Sequence, residues 1–205
     1  MNIEIIINNE NDFNKLNTIS RFSNELKRVN IRITNDILFT KALKPADFKG
    51  IDVCIYGNNH ILCNVNIFNV NDDKLVDNAG IFKNVKNLYV EDLKINHAYV
   101  YAGQVSGLLA ANVEDSLTLM NSDFNNVIVN CEAYCGGVVG VAKTVQVSDS
   151  RVLSKVYGID VVGGVAGMAD KYIEEDSYID GEIIAVGKAI GQKVGFCYNQ
   201  IIKSL

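Results

Sequence analysis

Four side chains that could do chemistry stand at matching places in this sequence: Asp92 in LYVEDLKI, Asn121 in LTLMNSDF, Asp149 in VQVSDSRV and Asp176 in YIEEDSYI. Serines 122, 150 and 177 directly follow three of them. If the segments stack, these residues form a ladder. Oxygens in that arrangement suit a calcium ion or, at a separation of about 5–9 Å, the acid and base of a glycosidase. The same residue types are also turn formers, because Asp and Asn side chains bond their own backbone and tolerate unusual dihedrals. Regular recurrence favours the turn, since an active site is a singular departure from a repeat. The clearest departure is the acidic run EEDSYIDGE at 174–182, where Glu174 interrupts the alternation.

Other chemistry is sparse. The two histidines, His60 in GNNHIL and His97 in INHAY, have no companion at ligand spacing. His60 reads as structural and His97 as exposed. There is no HExxH and no GxSxG, and in GQVSG at 103–107 the serine comes one place too late. The five cysteines sit among apolar residues, so buried, reduced thiols are expected. Cys131 and Cys135 have CxxxC spacing without the second pair or nearby histidine that a zinc site needs. No catalytic residue, metal or cofactor is expected. Tyr99 and Tyr101 share one strand face and offer aromatic contact surface.

Charge narrows the partners. Residues 1–50 carry a net +2 and residues 51–205 a net −7. From Ile95 to Ala142 there is no Lys or Arg, while Glu114, Asp115, Asp123 and Glu132 are present. Such a body repels phosphate backbones, so direct nucleic-acid binding is not expected. No segment reaches the ~20 apolar residues of a membrane helix, and no basic, apolar leader opens the sequence. The expected location is cytoplasmic, or the cell surface if the sequence belongs to a larger exported protein.

These residues need a scaffold, and the glycines supply its signature. AGQVSGL (102–108), CGGVVGV (135–141), VGGVAGM (162–168) and VGKAIGQ (186–192) each hold Gly, three residues, then Gly. Aligned this way the leading glycines are Gly103, Gly136, Gly163 and Gly187, followed by Gly107, Gly140, Gly167 and Gly191; NAGIFKN adds Gly80 upstream. The leading steps are 33, 27 and 24 residues. Between the glycine segments, apolar residues alternate at period two, as strands with one buried face require. Strand, turn, strand, turn, strand, repeated, is the coil of a β-solenoid, in which no coil buries its apolar face without its neighbours. The chain is therefore expected to be one all-β domain, a single right-handed parallel β-helix.

At the N-terminus, residues 1–28 read as a strand and a capping α-helix, with Asn11 as N-cap and Phe13, Leu16, Ile19, Phe22 and Leu26 on one face. Residues 29–77 form the first coils, with loops at 40–50 and 72–78. Residues 78–195 are the repeat coils, and 196–205 are a short C-terminal end. If that end leaves the last coil uncovered, its edge suits a homodimer.

ITNDI (33–37), FKGIDVCIYGNNHILCNVNI (48–67) and the glycine segments resemble proteins with GLUG-motif repeats. The resemblance implies a right-handed β-helix of the kind found in bacterial adhesin-like surface proteins. Its peptidase members' HExxH is missing here, and the segments are less regular than Gly-Leu-Val-Gly. The expected function is a non-catalytic, protein-binding solenoid that presents an acidic, Tyr-bearing face to a partner with a basic surface, as an intracellular inhibitor of phage type would. The contact residues are expected to be Glu114, Asp115, Asp123, Glu132, Tyr99, Tyr101, Glu174, Glu175 and Asp176. The alternatives are a surface-adhesin module binding host protein or glycan, and a carbohydrate-active β-helix enzyme.

Overall fold

The computed structural model describes residues 1–22, 25–68, 70–71, 74–75, 77–187 and 189–203. The strands stack as a parallel β-solenoid with three walls. The long sheet has eight strands in chain order: Asn2–Ile7, Arg28–Ile33, Ala46–Tyr56, Phe82–Glu91, Ala110–Met120, Val139–Ser148, Ala166–Glu175 and Val194–Lys203. The second sheet stacks Ile37–Leu38, Ile61–Phe68, Lys94–Tyr101, Asp123–Asn130, Arg151–Gly158 and Tyr178–Ala185. The third is built of short strands: Asn78–Ala79, Val105–Ser106, Tyr134–Gly136, Val161–Gly163 and Ala189–Gly191.

Alternation becomes columns once the coils stack. In the long sheet Val53, Leu88, Leu117, Val145 and Tyr172 occupy one buried column in register. In the second sheet Ile67, Val100, Val129 and Val156 do the same. Each fully buried aliphatic side chain contributes about 1.5–3 kcal/mol relative to exposure, and every one depends on the coil above and below.

The glycine file differs from the expected alignment. Register places Gly80, Gly107, Gly136, Gly163 and Gly191 in one column of the third sheet. Gly103 and Gly187 stand outside it, in the corner between the second and third sheets, level with Glu132, whose N–H bonds the Gly103 carbonyl at 3.0 Å. Gly140, Gly167 and Gly195 form a second file where the long sheet begins. Close packing requires glycine here. A methyl on Gly163 would run into the Ala166 carbonyl oxygen and the Gly195 amide nitrogen.

One corner joins the long and second sheets. Asp92, Asn121, Asp149 and Asp176 follow one another there in the left-handed region, with φ of 54°, 44°, 48° and 45°. The serines behind them form a relay. Ser122 Oγ accepts the Leu93 N–H at 3.2 Å and donates to the Met120 carbonyl at 2.7 Å. Ser150 Oγ accepts the Ser122 N–H at 3.1 Å and donates to Ser148, and Ser177 Oγ accepts the Ser150 N–H and donates to Glu175. Each serine thus satisfies a backbone donor of the preceding coil and a carbonyl of its own.

The N-terminal helix, Glu10–Ser20, packs by Phe13 and Leu16 over the first coils. Its N-cap is Asn9, not Asn11: the Asn9 side chain accepts the Asn11 N–H at 3.0 Å. The helix is also shorter than expected. Phe22 lies beyond it, 75% exposed, while Leu26 is buried but outside the helix. The expected 40–50 loop gives way to strand at Ala46. Of the 72–78 loop, residues 72, 73 and 76 fall outside the described residues; Lys74–Leu75 pairs antiparallel with Val70–Asn71. At the other end Val194–Lys203 is an edge of the long sheet, so residues 196–203 are strand, and Ile190, Tyr198 and Ile202 are exposed.

Two outcomes are expected. Gly163→Ala should lower stability by about 2–3 kcal/mol, read from the urea midpoint, because backbone on both sides must move. At the cap, the Lys15 ammonium (2.5 Å) and the Asn8 N–H (2.9 Å) hold the buried Asp12 carboxyl below its ordinary range. A depressed folded-state value gives stability that is present above the unfolded value and lost on acidification. Asp12→Asn should therefore cost about 1 kcal/mol at neutral pH, and the thermal-unfolding gap from wild type should close as pH falls below about 4.

Candidate functional site

The second sheet carries a bend that recurs at one level on successive coils. Asn64, His97 and Asn126 sit on one rung position, between the register pairs Cys63–Asn96–Asn125 and Val65–Ala98–Val127. All three are left-handed, with φ of 59°, 59° and 54°. Asn and His tolerate this region better than β-branched residues do, which is why they occupy it inside strands. In Arg151–Gly158 one residue is missing at this level, so the register shifts between Phe124 and Val127. In Tyr178–Ala185, Gly181 at φ 152° pairs with Ser154, one position beyond the Asn126 rung.

Three left-handed bends, the shorter strand Arg151–Gly158 and Gly181 together line a groove across five strands. One cleft of about 320 Å³ is lined by Asn64, Asn66, His97, Tyr99, Asn126 and Ile128. A second, of about 330 Å³, begins at Asn126 and Ile128 and continues past Ser154, Lys155, Asp180, Gly181 and Glu182. The two clefts share Asn126 and Ile128 and follow one another along the solenoid axis. Four steps of ~4.8 Å make the groove about 19 Å long. Asn66, Tyr99, Ile128, Lys155 and Glu182 form one column along it. Phe68, Tyr101, Asn130, Tyr157 and Ile184 form the next, and the Phe68 and Tyr99 rings meet at 5.2 Å.

The expected contact residues do not share a face. Tyr99, Tyr101 and Asp123 lie on the outside of the second sheet, Asp123 within 3.6 Å of Arg151. Glu132 is in the corner beyond, accepting from Gln104 at 3.1 Å. Glu114 and Asp115 are on the long sheet, where Glu114 accepts the Gly50 N–H at 3.0 Å and Asp115 pairs with Lys143 at 2.7 Å. Glu175 and Asp176 are exposed, at the end of a long-sheet strand and in the Asx corner. Glu174 does not belong to the surface at all. It is 3% exposed, in the column of Ile55, Val90, Leu119 and Val147, where it accepts from Tyr172 Oη at 2.7 Å and Lys193 Nζ at 2.5 Å. Burial and the Glu174 hydrogen bond push the Tyr172 phenol well above its ordinary range. The break in alternation at Glu174 therefore marks an inward charge.

The cysteine expectation also needs correction. Cys131 and Cys135 form a disulfide, bridging the corner between the second and third sheets with Cα atoms 5.7 Å apart. Cys54 is a buried free thiol, whereas Cys63 and Cys197 are free and half-exposed. His60 is held by Asp36 at 3.1 Å, and His97 is exposed in the bend. Among the described residues no three His, Cys, Asp or Glu side chains converge as a metal-ligand set. Asp92 instead accepts from Asn121 Nδ2 at 2.5 Å, the next member of its own ladder.

Comparison with protein-family models, with curated proteins and with solved structures finds no match. The groove is what sequence reading missed. Its signal was an Asn or His directly before a small or branched residue, in CNVNI, NHAYV and NNVIV.

Glu174→Gln should weaken the fold by about 1–3 kcal/mol in urea, since it removes a charge-assisted bond to Lys193 inside the core.

Proposed function

We propose that this protein is a non-catalytic binding solenoid whose contact surface is the outer face of the second sheet. The observation that carries the reading is the groove spanning five coils, bounded on one side by Phe68, Tyr101 and Tyr157. It has the concavity and the mixed polar and aromatic lining of a binding site. The two carboxylates in it are tied locally. Glu182 pairs with Lys155 at 3.1 Å, and Asp180 accepts from Tyr178 Oη and the Gly181 N–H.

The acidic face of the original expectation receives less support, because its residues are spread over several walls and several meet cations or backbone donors. The disulfide favours an oxidising setting over the cytoplasm. Together these observations favour the surface-module reading, in keeping with the GLUG-type resemblance, over an intracellular inhibitor.

The test is capture by immobilised protein from envelope and extracellular fractions. Material held by wild type should also be held by Thr118→Lys, on the long sheet, and be lost with the Tyr99→Ala, Lys155→Glu double variant. Equal retention by all three would place the contact surface elsewhere.

A further inference from the structure

Resting on that contact surface, the chemistry of the groove narrows its ligand: we infer that it binds an uncharged polysaccharide chain lying parallel to the solenoid axis.

The first reason is charge. The ionic groups on this face balance: Lys94, Arg151 and Lys155 stand against Asp123, Asp180 and Glu182, with Lys155–Glu182 and Arg151–Asp123 directly paired. A nucleic acid would require a surplus of cations and a basic peptide a surplus of anions. The face offers neither.

The second reason is the backbone. A peptide recognised in extended form adds to a sheet edge, where N–H and C=O groups are unpaired. The groove instead runs over the flat of the sheet, across strands whose ladders are already bonded to both neighbours along most of its length. Side chains make up most of the lining, with Gly181 contributing backbone. Peptide main chain would leave its own polar groups unpaired there, whereas a sugar presents hydroxyls that amides, imidazole and phenol satisfy.

The third reason is repetition. Asn64, His97 and Asn126 present a hydrogen-bonding side chain on three successive coils at the inter-strand spacing of ~4.8 Å. That spacing is close to the length of one sugar ring in an extended glycan, so successive rings meet equivalent groups. Among the described residues, neither Asn64 nor His97 spends its side chain on an internal hydrogen bond; Asn126 makes one long contact, to Asn96 at 3.4 Å. Tyr99 in the adjoining column, with the Phe68 ring against it at 5.2 Å, supplies an apolar face for the ring C–H groups, as an amphipathic sugar requires.

Affinity electrophoresis through gels containing hydroxyethyl cellulose, xylan, glucomannan or dextran tests this directly. Wild type should be retarded in at least one neutral gel, and added salt should not release it. Tyr99→Ala and Asn126→Gly should each weaken that retardation about tenfold. Glycine keeps the left-handed backbone of Asn126 while deleting the amide, so a loss there reports binding and not folding; circular dichroism confirms the fold. Tyr89→Ala, on the long sheet, should behave as wild type. No retardation in any neutral gel overturns the inference, as does retardation that survives both groove variants. If the material captured in the preceding experiment is protease-sensitive, glycosidase-resistant and still lost with the groove double variant, the contact surface stands and the glycan assignment falls.

Discussion

Every coil of this protein has to come round to the same register, because the hydrogen-bond partners of each strand lie in the coils before and after it. The third-sheet glycines Gly80, Gly107, Gly136, Gly163 and Gly191 show how nearly the circumference is kept. Small differences are absorbed locally, at the register shifts near Val113–Ser116 and Phe124–Val127. Apolar alternation alone forbids a slip of one residue, which would turn every side chain to the wrong face, but tolerates a slip of two. The serine relay forbids that as well. Ser122, Ser150 and Ser177 find their backbone partners in one alignment only, and a shifted coil would bury those groups unpaired.

Much of the architecture was legible because alternation and Asx-Ser corners report directly on which side of a strand is buried. The left-handed ladder at Asp92, Asn121, Asp149 and Asp176 stands where its residue types predicted. The glycine file was misaligned for an identifiable reason. Gly103–Gly107 and Gly187–Gly191 mimic the Gly-x-x-x-Gly spacing of Gly136–Gly140, yet they straddle a corner, so their second glycines are the ones that stack. Spacing along the chain cannot distinguish the two phases; hydrogen-bond register can. Likewise an acidic residue in an alternating strand looks like a surface feature until Tyr172 and Lys193, the latter 19 residues away, are seen to enclose Glu174.

The site was less legible than the fold because backbone shape produces it. Asn64, His97 and Asn126 are unremarkable as types, and a left-handed residue in mid-strand leaves no mark on hydropathy. Only their stacking turns three local kinks into one concavity. The acidic count between Ile95 and Ala142 misled in the opposite direction: it was a fact about the segment, whereas coiling distributes consecutive residues over three walls and hands Asp115 and Asp123 a cation from a neighbouring coil.

The bend in the second sheet is set by main-chain angles, whereas the outward side chains beside it, such as Tyr99, Ile128 and Lys155, are partly or fully exposed and carry little of the core. Concavity and lining are therefore separable. Residues such as Tyr99, Ile128 or Lys155 can be exchanged one rung at a time without disturbing the trough they border. A solenoid kinked in this way is a mould with replaceable teeth, and recognition can drift along it while the architecture stays fixed.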